Sequence, residues 1–219
     1  MPRAIAFCLA LLMPLTCLAV EEGFTPLFDG QTLEGWQGGK DGYEVRDGAI
    51  VSLPKGGSGN LCTNKEYSDL HLKFEFKLTP GANNGIGLRI PMPVEGKRLD
   101  PAYAGLEIQV LDDGDEKYKG KIKEWQHHGS VYGIVPAKQG HLKPVGEWNS
   151  EEIILQGKQI KVILNGETIV DADLDKASTP QTIDGRDHPG LKRDRGHICF
   201  CGHGAEVWFR NLRVKELKN

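Results

Sequence analysis

Hydrophobic and polar residues alternate along much of this chain, most cleanly between Leu70 and Leu78. Leu70, Leu72, Phe74, Phe76 and Leu78 fall on one side of a period-two element, and His71, Lys73, Glu75 and Lys77 on the other. That pattern predicts a strand with one buried and one wet face. Gly105 to Asp113 carries the same period with a difference. Leu106, Ile108 and Val110 share a face, while Glu107 and Gln109 project from the other, a carboxylate and an amide among strongly apolar neighbours. In a further strand, Gly85 to Ile90, the residues Ile86, Leu88 and Ile90 share a face with Asn84, and Arg89 shares the opposite face with Gly85 and Gly87. Glycines beside an arginine leave room above it for another backbone or a ligand.

Turn chemistry separates many such segments. Asp47-Gly48 joins Tyr43–Arg46 to Ala49–Val51, and Asn165-Gly166 joins Gln159–Leu164 to Thr168–Val170; both are two-residue hairpin signals. Short strands are also predicted at Leu61-Cys62, at Val131–Ile134, from Glu147 through Leu155, at Gly196–Cys201 and at Glu206–Val214. Trp36 beside a turn is expected to seal a core edge, and Trp148 and Trp208 to be core aromatics, with sugar-stacking platforms as the alternative. Gly56–Gly59 and Ile90–Ala104 read as loops. Asp113–Gly129 reads as a polar surface excursion with His127 and His128 in solvent, and Asp171–Arg195, of weak periodicity, as cover for one end of the fold. No stretch sustains a 3.6-residue stripe and no repeat of fixed period is present. The pattern predicts an all-β fold, a jelly-roll sandwich of two antiparallel sheets, with Arg89, Glu107 and Gln109 converging on one curved sheet.

Composition sharpens this picture at three points. The 28 glycines and 12 prolines among 219 residues fit strands and turns better than helices, and the length fits one domain. A net charge of −3 with no Lys/Arg block excludes nucleic acid as a partner. Residues 1–19 read as a signal peptide: Pro2-Arg3, an apolar run from Ile5 to Leu18, and small residues for cleavage near Ala19. Residues 20–219 are then a single exported domain, periplasmic or extracellular, and the apolar run is too short and too broken at Pro14 for a membrane span. Cys17 has poor flanks for a lipid anchor. Removing the leader leaves Cys62, Cys199 and Cys201, an odd number that makes no complete disulfide framework, and these read as buried thiols. Cys199-x-Cys201-x-His203 is the only metal-like spacing, and without the rest of a closed ligand set it predicts no metal and no cofactor. A divalent ion assisting catalysis is left open.

Seven motifs in one order carry a family resemblance. They are Phe28-Asp29-Gly30 with Leu33 and Gly35-Trp36; Asn83-Asn84-Gly85-Ile86 with Arg89; Gly105-Leu106-Glu107-Ile108-Gln109 with Asp112-Asp113; Tyr132-Gly133; Glu147-Trp148-Asn149; Asn165-Gly166; and Gly196-His197-Ile198 with His203-Gly204 and Phe209-Arg210-Asn211. Together they resemble the 3-keto-disaccharide hydrolase domain over nearly the whole mature chain. The resemblance implies a concanavalin-like jelly roll and action on glycosides oxidised at the sugar's third carbon, an oxidised di- or oligosaccharide being the partner. Where the family often carries Gln shortly before His-Gly, this chain has Cys201.

The residues bear on mechanism independently. Retaining glycosidases place two carboxylates about 5 to 5.5 Å apart. Here the same-face neighbour of Glu107 is Gln109, and Asp112 has the opposite parity, so a carboxylate pair is poorly supported. A 3-keto sugar offers elimination instead, which needs one base, donors for an enolate oxygen and an acid for the leaving group. Glu107 and His203 are assigned acid/base work, Arg89 the oxyanion, and Asn84 and Gln109 the sugar hydroxyls, with Arg210 reaching the same face. The alternative structural roles are an Arg89–Glu107 ion pair, and turn positions for Asn84 and His203. The alternative function is a lectin-like binding module that holds sugar without cleaving it.

Overall fold

The computed structural model describes residues 21–54, 59–92 and 99–218; the signal-peptide expectation for residues 1–19, and most of the expected Gly56–Gly59 loop, lie outside the described residues. Among the described residues no helix is long and apolar enough to cross a membrane. The strands follow in order: β1 (Thr25–Pro26), β2 (Trp36–Gly38), β3 (Tyr43–Arg46), β4 (Ala49–Ser52), β5 (Asn60–Tyr67), β6 (Leu70–Leu78), β7 (Asn83–Ile90), β8 (Leu106–Leu111), β9 (Trp148–Gln156), β10 (Gln159–Leu164), β11 (Glu167–Asp173), β12 (Gly196–Cys201) and β13 (Val207–Glu216). Two one-turn helices, α1 (Pro101–Ala104) and α2 (Leu174–Ala177), interrupt them. The larger sheet runs β11-β10-β9-β6-β13-β4-β3 with β1 on β13, and the smaller runs β2-β5-β12-β7-β8. All pairings are antiparallel. The fold is the expected all-β jelly-roll sandwich.

The alternation read from the sequence is what drives the two sheets together. Leu72, Phe74 and Phe76 of β6 meet Ile86 and Leu88 of β7, Ile108 and Val110 of β8, and Phe200 of β12 in one continuous core. Burying a large apolar side chain is worth about 1.5–3 kcal/mol, so strand faces of this kind dominate the stability. Both predicted hairpins form, with Asp47, Gly48, Asn165 and Gly166 all at positive φ as two-residue turns of this type demand. Trp36 is buried and stacks on Phe200 at 5.2 Å, sealing the β2 edge as expected.

Four expectations are corrected. Cys62 and Cys199 are not thiols: they lie directly opposite each other on β5 and β12 and form a disulfide. That sulfur is therefore unavailable to the spaced Cys–Cys–His set, and among the described residues Cys201 alone is a free, buried thiol. His128 is not in solvent. Its ring is buried against Phe76 at 4.9 Å, its Nδ1 accepts from the Leu111 amide, and its Nε2 faces the buried Glu151 carboxylate at 3.1 Å. His127 is half-buried against Asp113 at 3.0 Å. Finally, Trp148 and Trp208 are half-buried on the outer face of the larger sheet, with Lys77 over both rings.

Candidate active site

The smaller sheet turns one face to the core and presents a carboxylate and an amide on the other. β7 and β8 pair so that Gly85 lies opposite Gln109 and Gly87 opposite Glu107. With no side chain on Gly85, the Glu107 side chain leans across it: a Cβ added there would lie 2.0 Å from Glu107 Oε1. At Gly87 an added Cβ would meet Ile90 and, at 3.2 Å, Cys201 Sγ. The room predicted above the glycines is thus filled by this chain's own side chains. Glu107 is buried, only 4% exposed, and Oε1 lies 3.4 Å from Nε2 of His203, which follows β12 and is largely open to solvent. Gln109 donates from Nε2 to Asn83 Oδ1 at 2.9 Å. Burial, and then the neighbouring Glu107 charge, push the Cys201 thiol well above its usual value, so it stays protonated beside the carboxylate.

A cleft of about 250 Å³ opens over these groups, with Glu107, Gln109, Asn83 and His203 in its lining. One wall comes from the segment after β8. Gly129 and Tyr132 donate their amides to the carbonyls of Gln109 and Glu107, and Ser130 accepts from the Gln109 amide, so this segment extends the sheet edge. It brings Tyr132 and Gln126 into the lining, joined by a 2.8 Å hydrogen bond from Gln126 Nε2 to the tyrosine hydroxyl. The opposite wall is α1, whose N-terminal amide at Ala102 is capped by Asp100; Asp100 and Tyr103 face the cleft, as does Arg186 from the loop before β12.

The structure brings together three of the six residues assigned from sequence, Glu107, Gln109 and His203. It removes the other three, each for a geometric reason. Arg89 has φ +54°, which breaks the period of β7 and turns the side chain away from Glu107. Its guanidinium is buried on Asp69 at 3.0 Å and donates to the carbonyls of Gly157 and Arg193, so the expected Arg89–Glu107 ion pair does not form and the partner is Asp69. Asn84 faces the core, where its Nδ2 donates to Ser52; the asparagine in the cleft is Asn83. Arg210 lies on the outer face of the larger sheet, bonded to Glu75 at 2.7 Å and stacked on Trp148 at 3.9 Å, on the far side of the molecule. Asp112 is spent on the Gly81 amide at 2.7 Å.

Asn83 was legible by parity, since it shares a face with Gly85. Tyr103, Asp100 and Arg186 were not, because they come from a one-turn helix, its cap and a loop, none with a period to read.

Comparison with known proteins decides what this geometry belongs to. A family model, the 3-keto-alpha-glucoside-1,2-lyase-like domain, matches residues 23–215. The chain belongs to this family. Within it, the 3-keto-disaccharide hydrolase of Bacteroides thetaiotaomicron is 30% identical, the match covering 90% of this chain and 79% of that one. Two crystal structures of candidate glycosyl hydrolases from Parabacteroides distasonis superpose on it. One has a TM-score of 0.77 at 27% identity, covering 90% of this chain and 95% of the other. The second has a TM-score of 0.74 at 29% identity, covering 89% and 99%. For a member of the 3-keto-alpha-glucoside-1,2-lyase-like family, a buried carboxylate over a glycine floor with an imidazole beside it is the arrangement to explain.

Proposed function

We propose that this protein cleaves the glycosidic bond of 3-keto-glycosides, oxidised disaccharides among them, by elimination across C1 and C2 followed by hydration. The observation that carries the reading is the Glu107–His203 contact at 3.4 Å, inside a cleft that also holds amides suited to sugar hydroxyls. A ketone at C3 acidifies the hydrogen at C2. The Glu107 carboxylate takes that proton, and the C–H electron pair forms the C2–C3 double bond of an enolate, placing charge on O3. When the carbonyl re-forms, C1 and C2 become doubly bonded and the C1–O bond breaks, its pair leaving on the aglycone oxygen. His203, in its protonated form, supplies the proton that oxygen needs. Water then adds at C1, its proton passing to the now neutral His203, and Glu107, its proton exchanged with solvent while the aglycone departs, delivers a solvent-derived proton to C2. Asn83 and Gln109 hold hydroxyls of the oxidised ring.

This route requires one base rather than a matched carboxylate pair. Asp100, the other carboxylate among the described residues lining the cleft, is engaged in capping α1. The relative from Bacteroides thetaiotaomicron, named for hydrolysis of 3-keto-disaccharides, supports the substrate class. The protein is read as exported, on residues 1–19 alone.

The test is turnover of 3-keto-trehalose or 3-keto-lactose by the purified protein, followed as monosaccharide released. Glu107→Gln is isosteric and is expected to lower kcat by about 10²–10⁴, the usual worth of a positioned base, with an unchanged melting temperature. A binding module would instead show saturable sugar binding and no product.

A further inference from the structure

Elimination places negative charge on O3, and with Arg89 committed to Asp69 the mechanism lacks the cation that sequence reading supplied for it. A second set of groups at the cleft fills that need. We propose that Arg186 is the substrate-facing clamp for the enolate oxygen, and that Tyr103, Asp184 and His188 are the positioning residues that hold the clamp. This inference rests on the proposed elimination on a 3-keto sugar.

Three separate segments meet to build it. Tyr103 comes from α1, and Arg186 from the loop before β12; both line the same cleft as Glu107 and His203. The Arg186 guanidinium lies 3.9 Å over the Tyr103 ring and donates from Nη1 to its hydroxyl oxygen, while that hydroxyl donates to Asp184 Oδ2 at 3.3 Å. Asp184 is fixed from every side. Its Oδ1 accepts from the Thr182 hydroxyl at 2.9 Å and the Arg186 amide at 3.0 Å, and both its oxygens lie 3.2 Å from His188 Nε2. His188 is buried, donates from Nδ1 to the Ala102 carbonyl of α1, and packs on the Tyr103 ring at 4.6 Å. The third segment contributes an absence of bulk: a Cβ on Gly133 would lie 2.5 Å from Asp184 Oδ2, so only glycine leaves the carboxylate its place.

Electrostatics assign the parts. Burial is the largest influence on Asp184 and raises it, yet the Arg186 amide, the Thr182 hydroxyl and His188 together hold the carboxyl below its ordinary range, so it is an acceptor at neutral pH. Burial and then the Asp184 charge push the Tyr103 phenol up to about 12, which makes it a hydrogen-bonding group and not a proton carrier. The formal cation is Arg186, whose planar fork suits two oxygens of one ligand. Fixed donors aimed at developing charge act without reorganisation, which is where a clamp of this kind contributes to rate.

Two measurements test it. On the 3-keto-glycoside, Arg186→Gln is expected to lower kcat by about 10²-fold, in the range of losing one oxyanion donor, with KM changed little and the melting temperature unchanged. Arg186→Lys recovers part of the loss. The second measurement needs no turnover: calorimetric titration with ascorbate, a stable ring enediolate. Wild-type protein binds it, Arg186→Gln weakens binding by about tenfold or more, as for a lost hydrogen bond to a charged group, Tyr103→Phe weakens it less by releasing the guanidinium from its anchor, and Glu107→Gln does not weaken it. Unchanged kcat in Arg186→Gln with normal Glu107 dependence overturns the clamp and leaves the base intact. Ascorbate binding that depends on Arg186 in a protein without 3-keto-glycosidase activity supports the clamp and overturns the proposed reaction. Equal ascorbate affinity in wild type and Arg186→Gln, or none in wild type, overturns the clamp.

Discussion

Glu107 keeps its position because Gly85 has nothing to put in its way. A methyl at that glycine would sit 2.0 Å from the carboxylate oxygen, and the displaced carboxylate would move away from His203. Gly85→Ala is therefore expected to lower kcat on 3-keto-glycosides by at least about tenfold, since small misplacements of a reacting group are amplified in rate, while the protein remains folded by circular dichroism. A fully active Gly85→Ala would separate Glu107 from the chemistry. Arg89 behaves in the opposite way. It is 3% exposed, burial pulls its guanidinium below the ordinary value against the opposing pull of Asp69, and the two form a buried pair. Arg89→Met leaves Asp69 buried without its counter-charge, and urea unfolding should register about 3–5 kcal/mol of lost stability with kcat of the folded fraction unchanged. At this scale the period-two rule located Glu107 and Gln109 without help, because both sit on a strand that keeps its period. It failed at Arg89, where a single positive φ reverses a side chain and leaves no trace in the pattern of residue types.

Strands and their turns transmit the site's geometry. β6, β10 and β12 begin and end at the residues the pattern predicts, because each is bounded by turn chemistry and buries one face. The elements that complete the cleft are of another kind. α1 is a single turn, and the segment carrying Asp184, Arg186 and His188 has no repeating face, so hydrogen bonds among its own polar groups fix its shape. Such contacts are specific in space and silent in sequence. The disulfide is a similar case, joining β5 to β12 across 137 residues on the same sheet face as Glu107. An odd cysteine count concealed it, because the unpaired Cys201 was needed elsewhere, beside Glu107. Replacing Cys62 and Cys199 together by serine is expected to reduce stability by about 2–5 kcal/mol in denaturant titrations, chiefly by freeing the unfolded chain. An unchanged unfolding midpoint would show that the closed loop contributes nothing.

Taken whole, the sandwich separates its tasks by surface. The interior is apolar apart from buried polar contacts such as His128 with Glu151, the outer face of the smaller sheet holds Glu107 and His203, and the outer face of the larger sheet carries Trp148, Trp208 and the cations stacked on them. A rigid sheet with glycine at the right register lets a carboxylate be buried and still face a cleft. That combination is the physical basis for assigning Glu107 as a base that removes a carbon-bound proton. The most direct test is turnover of 3-keto-trehalose in D₂O, with the released 3-keto-glucose analysed at once by mass spectrometry and NMR against a no-enzyme control. Elimination followed by hydration predicts one deuterium at C2 in every product molecule formed by the enzyme. Product carrying only hydrogen at C2 would contradict the route in which Glu107 removes the C2 proton, exchanges it with solvent and delivers a solvent-derived proton to C2.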